Sequence, residues 1–173
     1  MIEKELLFNY NLNYKYLFDI TTNNNVEILK IIDELNDYKQ GVWKGNKRKD
    51  LIDFKINDIP ELFKSFTSGL ISDNVIPLKI KIKLLKNDDE SIIIKIKANL
   101  VNRIANLIFK LINLKIFATI EKINDNSSNV KIKYIIKSIL PSSIMEMIDK
   151  YIEQKLNNNF IRKFDNYLKN LKL

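Results

Sequence analysis

Lysine is the residue with which this sequence can do most. Lys79, Lys81 and Lys83, then Lys95 and Lys97, then Lys115, then Lys131, Lys133 and Lys137 fall at alternate positions in four runs. If each run is a strand, all nine ammonium groups point to one side of a sheet. Such a basic surface would make a positive field suited to phosphate groups, anionic lipid headgroups among them. The same pattern would also serve as a solvated face whose lysine stems cover apolar surface. Ile, Lys and Asn are over-used in the way an AT-rich genome favours, which by itself inflates lysine. The net charge of +8 assists contact with an anionic membrane or a nucleic acid backbone. Phe117 alone interleaves the lysines, whereas single-strand binders use several stacking rings, and no recognition motif is present. Nucleic acid is therefore the less favoured partner.

The absences narrow the chemistry further. Among 173 residues there is no Cys and no His. That excludes a disulfide framework, a thiolate zinc site, a cysteine nucleophile and a Ser-His-Asp triad. An enzyme would have to work with Tyr, Lys, Asp or Glu alone, and no catalytic motif is present, so a non-enzyme is expected. Asp88-Asp89-Glu90 and Asp125 are acidic turns without the glycine of an EF-hand loop, and read as solvated hairpin turns. Neither a Walker nor a Rossmann glycine pattern occurs, so no metal and no cofactor are expected. The charged start Met1-Ile2-Glu3-Lys4-Glu5 lacks signal-peptide features. The most apolar window, residues 103–120, is broken by Asn106, Lys110, Asn113 and Lys115 and makes a poor membrane span. With 46% hydrophobic and 29% charged residues, the expectation is a soluble, cytoplasmic protein, one domain over residues 1–173.

These side chains need elements to hold them. Leu78, Ile80, Ile82 and Leu84 alternate with the first three lysines, and Asn87-Asp88-Asp89 turns the chain. Ile92, Ile94, Ile96 and Ala98 alternate on the return. Ile116, Ala118 and Ile120 follow, then a turn over 124–129, then Val130, Ile132, Tyr134, Ile136 and Ser138. Alternation of this kind belongs to an antiparallel sheet with one solvated face. Upstream, residues 2–9 read as a strand with Leu6 and Phe8 inward, and Asn13 caps a short helix through Phe18. Ile28, Ile31, Ile32 and Leu35 mark a second helix. Residues 38–44 and 49–56 read as a hairpin about Gly45-Asn46, with Ile52, Phe54 and Ile56 on one face. Leu62, Phe63 and Phe66 suit a short helix before a loop to residue 74. Residues 99–113 fit either an amphipathic helix or a long hairpin, and as a helix would pack on the sheet end, gate a cavity or dip into a bilayer.

The C-terminal stretch organises the rest. After Pro141, Ser143 and Glu146 form an S-x-x-E capping box. Ile144, Met147, Ile148, Tyr151, Ile152, Leu156, Phe160, Phe164, Leu168 and Leu171 then make one apolar stripe on a helix of about 45 Å. A curved sheet wrapped around that helix would set Phe54, Ile82, Ile94, Ala118, Tyr134 and Ile136 against Met147, Ile148 and Tyr151. Ligand sites are mostly apolar with a few placed polar groups, and Tyr134, Ser138 and Tyr151 would supply them. A filled core, with the tyrosine hydroxyls on water or backbone, fits the same residues.

The element order β-α-α-β-β-β-β-β-β-α resembles, over essentially the whole chain, the helix-grip fold of the START-like superfamily. That superfamily includes the Bet v 1 allergens and polyketide cyclase-like proteins. The segment Trp43-x4-Arg48-x2-Leu51-x2-Phe54 resembles the tryptophan–arginine hairpin of VASt sterol-transfer domains. The resemblance implies an α+β fold with about seven strands around one long C-terminal helix. It also implies binding or transfer of a hydrophobic small molecule, a lipid, between sheet and helix, with opening by residues 99–113 or 60–74. It transfers no catalytic residue. The alternative is a non-enzymatic interaction module acting through the lysine face on an acidic protein, an anionic membrane or nucleic acid.

Overall fold

The alternating runs pair as their periodicity predicts. The computed structural model describes residues 1–23, 26–33, 35–55 and 75–171. Its strands are β1 (Ile2–Tyr10), β2 (Leu35–Lys39), β3 (Lys47–Lys55), β4 (Val75–Asn87), β5 (Ser91–Leu100), β6 (Leu114–Asn124) and β7 (Ser127–Ile136). They form one antiparallel sheet in the order β1-β7-β6-β5-β4-β3-β2. The first strand thus pairs with the last, from Ile2 opposite Ile136 to Tyr10 opposite Ser128. Register shifts between Leu84 and Lys86 and between Lys122 and Asn124 insert bulges, which bend and twist the sheet around its inner face.

Between β1 and β2 the chain forms α1 (Tyr14–Phe18), a π-helical turn (Asp19–Asn23) and α2 (Val26–Leu29). The Asn13 side chain accepts from the Lys15 and Tyr16 amides, so the expected cap is formed. The second helix is shorter than its apolar spacing implied. The Ile31 and Ile32 amides bond back only three residues, to Ile28 and Leu29, and this tightening ends the helix. Leu35, expected in that helix, instead opens β2.

The β2–β3 hairpin depends on two glycines. Gly45, at φ +59°, makes the turn between Lys44 and Lys47. Gly41 lies so close to β3 that a Cβ there would sit 1.9 Å from the Lys49 carbonyl oxygen. Residue 56 and the helix and loop expected over 60–74 lie outside the described residues.

Residues 99–113 resolve into the end of β5 and a helix, α3 (Arg103–Lys110), not a second hairpin. Asn106 ties α3 to the sheet by accepting the Leu100 amide at 3.0 Å. Ile112 packs into the core, but Leu107 is 64% and Leu111 42% exposed, so the expected packing is only partial. Asn113 returns the chain to β6 at φ +42°, a left-handed conformation that asparagine tolerates.

The C-terminal helix is segmented: α4 (Ser142–Gln154), a π-helical stretch (Lys155–Ile161) and α5 (Arg162–Asn170). The capping box does not form. Pro141 occupies the N-cap, and its carbonyl accepts from the Ile144 and Met145 amides. Ser143 is thereby already inside the first turn, where its hydroxyl cannot cap.

Two apolar clusters fill the inner face. One gathers Tyr14, Leu17 and Phe18 of α1 with Ile82, Ile92, Ile94, Ile120 and Phe164. The other gathers Ile112, Tyr134, Ile136, Met145 and Ile148. The C-terminal helix serves both: Leu156 packs on the second cluster and Phe160 on the first, with the π-helical stretch at the changeover.

Candidate functional site

The ten residues expected to line a ligand site divide between these regions. Ile82, Ile94 and Ala118 lie with the first cluster, near Phe160 and Phe164. Tyr134, Ile136 and Ile148 lie in the second. Met147 and Tyr151 are half-buried on α4, with the Lys155 ammonium 5.7 Å from the Tyr151 ring. Phe54 is half-buried near the end of β3, beside Leu35 and Ile76 in register. Ser138 lies two residues beyond β7 and accepts the Leu140 amide at 3.0 Å. Met145, absent from the expected stripe, is buried in the second cluster, three residues before Ile148.

Charged groups also converge on the inner side, where the sequence pattern sets Lys4 on the face of Leu6 and Phe8 but leaves Asp149 and Glu153 on the polar side of the helix. Tyr134 is fully buried and donates to Asp149 Oδ1 at 2.7 Å. Lys4, opposite Tyr134 in register, reaches Asp149 Oδ2 at 2.8 Å and Glu153 Oε2 at 2.7 Å. Burial first, then the Asp149 carboxylate, pushes the Tyr134 hydroxyl well above the usual tyrosine range. Hydrogen bonds from Lys4 to Asp149 and Glu153 hold its ammonium well above the usual lysine range. The group ties β1, β7 and α4 together. Lys4 was legible as an inward residue, since it falls between Ile2 and Leu6 on the alternation of β1.

A second polar knot sits at the other end of the sheet. Arg48 and Asp50, both buried on β3, pair at 2.9 Å. Arg48 Nη1 donates to the Thr22 carbonyl of the π-helical turn. Asp50 accepts from the Gly41 amide at 2.9 Å and the Tyr38 hydroxyl at 3.0 Å. The Trp43 ring lies 5.1 Å from Arg48 Cζ, and its Nε1 donates to Asn23 at 2.9 Å. The tryptophan and arginine of the sequence motif are thus in cation–π contact. Together they bind the β2–β3 hairpin to the segment after α1. Extending the alternation of Ile52 and Phe54 back by four residues gives both inward charges.

The lysines of the outer face are not uniformly placed. Lys131 and Lys133 of β7 meet Glu5 at 4.0 Å and Glu3 at 2.5 Å on β1. Lys115 is half-buried on β6, and Lys137 is exposed just past β7. Lys79, Lys81 and Lys83 of β4 and Lys95 and Lys97 of β5 are joined by Lys47 and Lys49 of β3, which the sequence reading had not grouped with them. Among the described residues no helix is long and apolar enough to cross a membrane, and no cluster of three or more acidic side chains could hold a metal ion.

No protein-family model matches the chain, and no curated protein matches it significantly in sequence. Solved structures do match its architecture. Ara h 8.0201 is 12% identical, with a TM-score of 0.61 over 98% of this chain and 99% of that one. The Zhui aromatase/cyclase from Streptomyces is 6% identical, with a TM-score of 0.55 over 94% and 93%. An HSP90 activator from Plasmodium falciparum is 10% identical, with a TM-score of 0.51 over 98% and 97%. These identities carry the fold and nothing finer. With a curved seven-stranded antiparallel sheet, short helices after its first strand and a long C-terminal helix, the chain has the helix-grip fold of the START/Bet v 1 superfamily.

Proposed function

We propose that this protein binds or transfers a hydrophobic small molecule, a lipid, held between the inner face of the sheet and the C-terminal helix. The observation that carries the reading is the division of that face into two apolar clusters bridged by a helix whose geometry changes between them. An apolar ligand seated there would gain about 25 cal/mol per Å² of apolar surface removed from water. Ile82, Ile94, Ala118, Tyr134, Ile136 and Ile148 are the proposed wall, with Phe54, Ser138, Met147 and Tyr151 at its margins. Opening would fall to α3 and the turn after it, where Leu107 and Leu111 face outward and Asn113 reverses the chain. Catalysis is not part of the proposal: the ionisable groups on the inner side are engaged with one another, as Tyr134–Asp149–Lys4 and Arg48–Asp50.

Native mass spectrometry of the purified protein, followed by organic extraction, tests this directly. A co-purifying lipid at near-unit stoichiometry is expected. A protein that arrives empty and takes up no lipid from mixed vesicles would overturn the proposal. The second reading, an interaction module with a filled core, is favoured by the run of lysines on β3 to β5 that no carboxylate among the described residues neutralises. The HSP90 activator of the same fold shows that the architecture also occurs in a protein acting on another protein.

A further inference from the structure

The outer side of β3, β4 and β5 carries lysines in register. Lys47 lies opposite Lys83 and Lys83 opposite Lys95; one step along, Lys49 lies opposite Lys81 and Lys81 opposite Lys97. Lys79 extends the row on β4. Strands about 4.8 Å apart, with same-face residues about 6.8 Å apart, crowd six lysine stems onto a patch of about 10 by 7 Å. Like charges placed directly opposite destabilise an antiparallel pair. Among the described residues none of the seven lysines forms an ion pair, and Lys95 alone has another charge-accepting neighbour, the Phe117 ring at 5.6 Å. The far edge of the same face contrasts with this, since Glu3 and Glu5 of β1 pair with Lys133 and Lys131 of β7.

We propose that this lysine grid docks the protein on an anionic phospholipid bilayer. Every cation in it is lysine, a compact point charge without the planar fork that reads a single phosphate. That suits a fluid array of headgroups better than one fixed anion. Among the described residues no helix or ribbon stands out from the grid to enter a nucleic acid groove, and no row of rings offers a surface on which bases would stack. Leu51, across from Lys79, and Leu85, two residues beyond Lys83, are exposed at its border and would rest in the interfacial layer. Docking through this side leaves the inner face untouched, so the inference stands independently of the ligand proposal.

Co-sedimentation of the full-length protein with phosphatidylcholine vesicles, with and without phosphatidylserine, is the test. The protein should partition onto the anionic vesicles, stay off the neutral ones, and be released as salt shortens the reach of its charges. The double variant Lys81→Glu/Lys97→Glu should bind at least about tenfold more weakly, and Lys81→Gln/Lys97→Gln should fall between it and the parent. Lys131→Glu, outside the grid, should bind nearly as the parent does. Circular dichroism and melting of each variant separate lost binding from lost folding. Equal binding to neutral vesicles, equal binding by the double variants, or tighter binding to duplex DNA or polyglutamate at the same salt would each overturn the inference. None of those outcomes bears on whether lipid co-purifies inside the protein.

Discussion

Asp50 and Asp149 are the two carboxylates on which the inner side depends: Asp50 pairs with the buried Arg48, and Asp149 shares Lys4 with Glu153. Arg48 is fully buried, so Asp50→Ala would remove the carboxylate paired with its charge and break the bonds from the Gly41 amide and the Tyr38 hydroxyl. The expected loss is about 3–5 kcal/mol in urea denaturation, and a loss below about 1 kcal/mol would mean that water reaches Arg48 freely. Tyr134 predicts a pH dependence. Its hydroxyl is raised in the fold, as is that of Tyr10, by burial and then Asp165. A raised group stabilises fully below its unfolded value, about 10 for tyrosine, and that contribution is lost as pH rises past it. The raised Lys4 acts with the same sign. Stability should therefore fall from about pH 10 upward. Tyr134→Phe should begin about 1.5–3 kcal/mol lower at neutral pH but decline less steeply. Parallel alkaline melting curves for the two proteins would contradict this.

At the scale of elements, the C-terminal helix shows how sequence spacing and backbone geometry meet. Ile148, Ile152, Leu156, Phe160, Phe164 and Leu168 repeat every four residues, and four residues of α-helix overshoot a full turn by about 40°. Over that run an unbroken α-helix would carry Phe164 away from the sheet. The wider π-helical stretch absorbs roughly one extra residue and keeps both ends of the stripe inward. Deleting the exposed Asn158 should therefore restore α geometry and cost less than Phe164→Ala, about 3–5 kcal/mol. Deleting the exposed Lys150 should cost more, because it turns the contacts of Tyr151, Ile152 and the rest of α4 by about 100° before the π-helical stretch can absorb the change. Equal costs for the two deletions, measured by urea denaturation, would refute the phase argument. The four-residue spacing was visible in the sequence, but its backbone solution was not. The strands of β4 to β7 were legible because one face is buried and the period of two is unambiguous. Arg48 and Asp149 were not read as inward, because burying a charge is costly until a partner from a distant element is known. The capping box failed for a local reason: Pro141 set the helix start two positions earlier than Ser143 required.

For the whole molecule, the sheet separates two roles, an apolar inner face held by the helix and a charged outer face that no described element covers. If the outer lysines serve a partner, their mutual repulsion is a cost the isolated fold bears, and relieving it should trade binding for stability. Lys81 is the sharpest position, since it faces Lys49 on one side and Lys97 on the other. Lys81→Glu turns two like-charge pairs into opposite-charge pairs, each contributing roughly 0.2–1 kcal/mol. The variant should thus unfold at higher urea while binding anionic vesicles more weakly, and it should take up an apolar ligand as the parent does. Salt should raise the stability of the parent more than that of the variant, because screening relieves only the repulsive arrangement. A variant that loses stability would show that lysine stems covering the strands outweigh the charge repulsion. A variant that loses ligand uptake together with vesicle binding would show that the two faces are coupled through the sheet and do not act independently.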